Sequence, residues 1–318
     1  MRYITVSILI ALPLAFVAGQ TKATKTVKRA QPPPPAKLKS DAFFGDAFKE
    51  GLVGERPADL GKAAAAATGG GTSSAPVAGS GAAPAGGGWS ALISPATIED
   101  TIKGLKQQVD KEVTTLSDFK GKGHKLARRD YSLLAMLFAI AGEYDGEVRW
   151  KKDSPAARDA FARSAANFKV ATDAAFNEAK ARKEELNDMV GGSSPFANKT
   201  ADPKAPWAQV AGRAPLMQYL ESAWEPRLKP ALADKGQFTA NSDKVLRDAE
   251  MFAAIGEVLA KEGMEDADAE EYRAFCTKLR EGAKQIIDAV KQKDFDQASK
   301  ASATIGKACA ECHENYRA

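Results

Sequence analysis

Cys309-Ala310-Glu311-Cys312-His313-Glu314-Asn315-Tyr316-Arg317-Ala318 closes the 318-residue sequence and decides how the rest of it is read. Two cysteines three apart, with a histidine directly after the second, form the attachment signature of a c-type haem. The spacing has a chemical reason. Each thiol adds to one vinyl group of the porphyrin, and the histidine is then held beneath the ring as an iron ligand. The stretch therefore predicts one covalent haem c, bound through Cys309 and Cys312 with His313 on the metal. The competing reading is half of a zinc site. A closed zinc site takes four ligands, and the sequence offers only Cys276 and His124 besides, both far upstream.

Upstream of the motif the pattern is helical. Phe295, Ala298, Ser302 and Ile305 recur at spacings of three and four, and Cys309, Cys312 and Tyr316 continue the same stripe. Both haem cysteines thus fall on an inward face. Three more stripes precede it. Met217, Leu220 and Trp224 mark a first helix, Val245, Ala249, Phe252, Gly256 and Leu259 a second, and Tyr272, Cys276, Leu279, Ala283, Ile286 and Val290 a third. Alternating three and four spacing is the seam of an antiparallel four-helix bundle, here over residues 207–318. Pro226 and Pro230 conflict with it, since proline should kink or end the first helix after Glu225.

Residues 89–195 carry a similar plan. Ser94-Pro95 reads as an N-cap followed by proline at the first helical position. Ile98, Ile102, Leu105, Val109, Val113 and Leu116 form one apolar stripe. Phe119 to Gly123 reads as a turn, and the wholly apolar run Leu133 to Ala141 predicts the most buried helix. Ser154-Pro155 repeats the cap signature, and Phe176 to Val190 is a fourth helix or a bent extension of the third. Phe138-Ala139, Gly142-Glu143 and Ala160-Phe161 recur as Phe252-Ala253, Gly256-Glu257 and Ala274-Phe275 at one constant spacing. The two halves read as a duplication. The first half holds no cysteine, and its one histidine, His124, sits in a Lys/Gly-rich turn, so that half cannot attach haem covalently. Residues 191–206, rich in Gly, Ser and Pro, read as the connection.

The N-terminal part has a different composition. Residues 1–19 have Arg2, an apolar run from Ile4 to Ala18 and a small-residue site at Val17-Ala18-Gly19, the pattern of an export signal. The run is shorter than a spanning helix, with an uncleaved membrane anchor as the alternative. Residues 20–88 form a disordered tether rich in Pro, Ala and Gly. Within 41–52, Phe43, Phe44 and Phe48 stand out as a docking segment for a partner or for the chain's own bundles. The fold expected is all-α: two tandem antiparallel four-helix bundles, 89–195 and 207–318, after the tether. A formal charge of +4 without a polybasic run gives no reason to expect nucleic acid. No carboxylate pair, nucleophile constellation or phosphate loop is visible, so an enzyme is not expected.

Cys309, Cys312, His313, Tyr316 and Arg317 together match the CxxCH-x-x-Tyr-Arg/Lys ending of the cytochrome c′ and cytochrome c556 family, and about the last 110 residues resemble that family. The resemblance implies a periplasmic haem protein. It also implies a distal side on the first helix: Arg213 against a haem propionate and Met217, four residues on, over the iron. The haem-free half has Ile98 and Ile102 in their place. Ligation by Met217 implies a six-coordinate haem built for electron transfer. Packing by Met217 alone implies an open iron that binds nitric oxide or carbon monoxide. Arg317 is expected near a propionate or His313, Tyr316 in packing, and Cys276 as a buried small hydrophobe. The partner is then a redox protein or a small gas. Family members pair through their first two helices, so the chain is expected as a homodimer or as an internal pseudo-dimer in which the first bundle covers that surface.

Overall fold

The computed structural model describes residues 88–317. The export signal, the tether and the Phe43, Phe44 and Phe48 segment lie outside the described residues. The described residues belong to a compact unit spanning Ser80–Ala318. They form helices and turns, with no strand among them. None of their helices is long and apolar enough to cross a membrane.

Among the described residues, eight helices of more than ten residues carry the fold. The first four are α1 (Pro95–Glu112), α2 (His124–Glu143), α3 (Ser154–Asn167) and α4 (Asp173–Gly191). Ser94 caps α1 in extended conformation, its Oγ accepting from the Thr97 N–H at 3.2 Å. Ile98, Ile102, Leu105 and Val109 are buried on one face of α1. The chain reaches α2 through a short π-helical turn, Phe119–Gly123. That turn needs glycine at its end, because a Cβ on Gly123 would stand 2.7 Å from the Glu112 carbonyl oxygen. Residues 130–141 of α2 are all buried, as the apolar run predicts. Its rings pack edge-on, Tyr131 against Phe161 and Phe168. The Tyr131 hydroxyl donates to the Ala179 carbonyl at 2.7 Å. Thr172 caps α4 as a separate helix, and left-handed Gly192 (φ 103°) closes it in a Schellman motif.

The remaining four are α5 (Arg213–Ala223), α6 (Ser242–Leu259), α7 (Glu270–Gln292) and α8 (Phe295–Tyr316). Within this half, α7 packs most extensively against its neighbours α6 and α8. Asp294 caps α8 by accepting from the Gln297 N–H at 3.0 Å.

Two sequence expectations need correction. The first helix of the second half leaves α-geometry after Ala223, two residues ahead of the expected break after Glu225. The chain widens after Ala223 into a π-helical turn, Trp224–Leu228, that absorbs Pro226, and Pro230 falls in the first turn of Lys229–Ala231. A wider ring leaves room for a residue that cannot donate to the α-helical ladder. Ser154 is not a cap either. The residue before α3 is Asp153, and the Ser154 Oγ donates back to the Trp150 carbonyl at 2.9 Å.

The connection between the halves is packed. Phe196 is buried and sits 6.2 Å from the Phe161 ring. The halves meet reciprocally, α2 against α5 and α1 against α6. Glu250 of α6 is buried there and accepts from the Ser94 N–H at 3.0 Å and the Ser94 Oγ–H at 2.7 Å. Arg247 pairs with Asp100 at 3.0 Å, and Trp89 lies 5.5 Å from Trp207.

A thiol-lined cleft between α5, α7 and α8

One cleft gathers most residues that the sequence singles out. It has an empty volume of about 380 Å³ and opens to solvent. Helix α8 supplies Cys309, Cys312 and His313. Helix α5 supplies Met217 and Leu220, α6 supplies Leu259, and α7 supplies Tyr272, Phe275, Cys276 and Leu279. The lining is mostly apolar, as in small-molecule sites.

Local rules put the side chains there. Cys309 and Cys312 stand three apart on α8 and therefore share a face, with the next residue, His313, exposed at the cleft lip. Burial pushes the Cys309 thiol up to about 11 and the Cys312 thiol upward too, so both stay protonated in the folded chain. Cys276 faces the same space, and burial raises its thiol to about 12. Helices α6 and α7 approach closely here. A Cβ on Gly256 would lie 3.0 Å from the Arg280 backbone nitrogen and 3.1 Å from the Cys276 carbonyl oxygen. Met217 is half-buried on the α5 wall.

The other expected site residues are placed as follows. Arg213 is buried, and its guanidinium donates to Glu265 at 2.6 Å and to Asp266. The propionate contact implied by the family resemblance would share or replace those carboxylates. Tyr316 packs its ring 5.3 Å from Tyr272 and donates to Glu271 at 3.2 Å. Arg317 is exposed just beyond α8. His124 does not line the cleft; its Nδ1 meets the Phe119 carbonyl at 3.1 Å, across the π-helical turn. Among the described residues no group of three or more His, Cys, Asp or Glu side chains converges as metal ligands.

Tyr272 and Phe275 are among the lining residues that sequence reading does not flag as site residues. Their spacing along α7 is the signal, but a helical stripe facing an apolar cleft looks the same as one facing core. Comparison of the chain with family models, characterised proteins and solved structures finds no match.

Does this cleft fit a haem? Both thiols of the attachment motif, the following histidine and a methionine from the opposite helix border one apolar space. A buried guanidinium donates to two carboxylates nearby. That donor set suits a flat apolar ring with an iron centre and two carboxylate tails.

Proposed function

We propose that the chain is an exported c-type cytochrome that carries one covalent haem and transfers electrons. The observation that carries this reading is the shared apolar cleft of Cys309, Cys312, His313 and Met217. Cys309 and Cys312 would hold the porphyrin as thioethers. His313 would ligate the iron from α8, and Met217 from α5. Bound haem supplies a reversible one-electron ferric/ferrous couple. The chain's part is to fix and insulate it. Leu220, Leu259, Phe275 and Leu279 would exclude water, and ligands held by α5 and α8 would keep the coordination alike in both oxidation states. A thioether on the iron also raises the potential.

The second reading is a gas-binding protein with a five-coordinate haem. Half-buried Met217 beside Leu220 and Leu259 favours it to this extent: the α5 wall is apolar enough for a small uncharged ligand. An optical spectrum separates the two. A far-red sulfur-to-iron band in the oxidised protein marks methionine ligation, whereas a high-spin spectrum that changes on adding nitric oxide or carbon monoxide marks the open site.

We further propose that 89–195 and 207–318 are tandem antiparallel four-helix bundles, the first without cofactor. The reciprocal pairing of α1 with α6 and α2 with α5 supports an internal pseudo-dimer, in which the first bundle covers the α5–α6 face of the second. The partner would be a redox protein, with Phe43, Phe44 and Phe48 as a docking segment.

A further inference from the structure

Tyr272 has no part in the function proposed above, yet its surroundings are unusual. It sits in the first turn of α7, is 1 % exposed, and lines the thiol cleft. No hydrogen-bond partner reaches its buried hydroxyl oxygen. Buried polar groups in native proteins are nearly always paired, so an orphan on a cleft-lining residue marks a partner still to come.

The polar groups beside it do not supply that partner. The Arg213 guanidinium lies 5.7 Å from the Tyr272 ring and has no acceptor to offer. It is held by Glu265 and Asp266 instead. The Cys276 thiol, one turn further along α7, lies close by but is at best a weak acceptor. The hydroxyl therefore wants an acceptor brought in by the occupant of the cleft. At its Tyr272 end the largely apolar lining carries its one hydroxyl, with Arg213 beside the ring. An apolar ring with carboxylate tails would lay those tails toward that end.

We infer that the Tyr272 hydroxyl donates a hydrogen bond to a propionate carboxylate of the haem. The inference rests on the haem reading above. Tyr272 acts here as a positioning residue: a donor to an ionised carboxylate fixes that tail and offsets its charge. An uncompensated carboxylate near the iron favours the ferric state, so removing the donor lowers the reduction potential.

The test is electrochemical, on the full haem-loaded chain. In Tyr272→Phe the covalent haem adduct should remain by mass, and the midpoint potential should fall below that of the wild type. An unchanged or raised potential in haem-loaded Tyr272→Phe overturns the inference. A wild-type chain with no haem adduct overturns the haem reading instead, so the two failures are distinguishable. Should Tyr272→Phe fail to fold, 3-fluorotyrosine introduced in place of Tyr272 alone keeps the ring and its packing while strengthening the donor. The potential should then rise, and an unchanged potential overturns the inference just as plainly.

Discussion

A thioether ligates iron only when its sulfur faces the metal, and Met217 is the sulfur-bearing residue on the wall across from His313. In Met217→Ala the haem should stay attached, since the thioethers are untouched, while the far-red sulfur-to-iron band disappears. A spectrum that does not change would show that Met217 only packs. Cys276 gives a second test at this scale. Burial raises its thiol to about 12, so it stays protonated and unreactive at pH 8. Alkylation followed by mass spectrometry should label Cys276 at least about tenfold more slowly in the folded protein than in denaturant. A third concerns Glu112, in the haem-free half. Burial first, and then the nearby Asp130 carboxylate, raise its carboxyl to about 8. The folded state then holds a proton that the unfolded chain releases at an ordinary carboxylate pKa. The contribution of this group is therefore fully present below about pH 4.5 and is lost as pH rises toward about 8. Glu112→Gln should flatten that decline and raise the melting temperature at pH 8 by about 2–4 °C, as read by thermal unfolding at pH 5 and pH 8.

At the scale of elements, Gly142 and Gly256 occupy matching places in the repeat but different surroundings. A Cβ at Gly142 would meet Ser154 and Pro155 side chains at no less than 3.6 Å, an ordinary contact. At Gly256 it would press on backbone atoms of Arg280 and Cys276, which cannot swing aside. Gly256→Ala should therefore cost about 1–3 kcal/mol in chemical denaturation, and Gly142→Ala should be neutral or gain up to about 1 kcal/mol from helix propensity. Much at this scale is legible in sequence. The α1 stripe, its Ser94 cap and the buried run of α2 follow from local rules, because periodicity and capping act within a few residues. The widened turn at Trp224–Leu228 does not follow from them. A proline says that one donor is missing, not whether the helix stops or loosens around the gap. The partners of Arg213 are also hidden, since Glu265 and Asp266 lie more than fifty positions away and are brought near only where the segment between α6 and α7 meets the start of α5. Tyr272 is legible as an inward residue and illegible as an orphan donor, because pairing is a property of the folded chain alone.

For the whole molecule, the first half takes up surface that would otherwise be exposed on the second. Buried Glu250 holds Ser94 across the junction, and the exposed Arg247–Asp100 pair adds little. If 89–195 stands in for a second haem subunit, the haem-loaded chain should sediment as a monomer at micromolar concentration. A tight two-chain assembly through α5 and α6 would contradict the internal pseudo-dimer. All of this depends on the cofactor at Cys309, Cys312 and His313. The most direct measurement is the mass and absorption spectrum of the full chain produced in a host that matures c-type cytochromes. One covalently added haem per chain, lost when Cys309 and Cys312 are both replaced by alanine, is the predicted result. A colourless protein of unmodified polypeptide mass would contradict it.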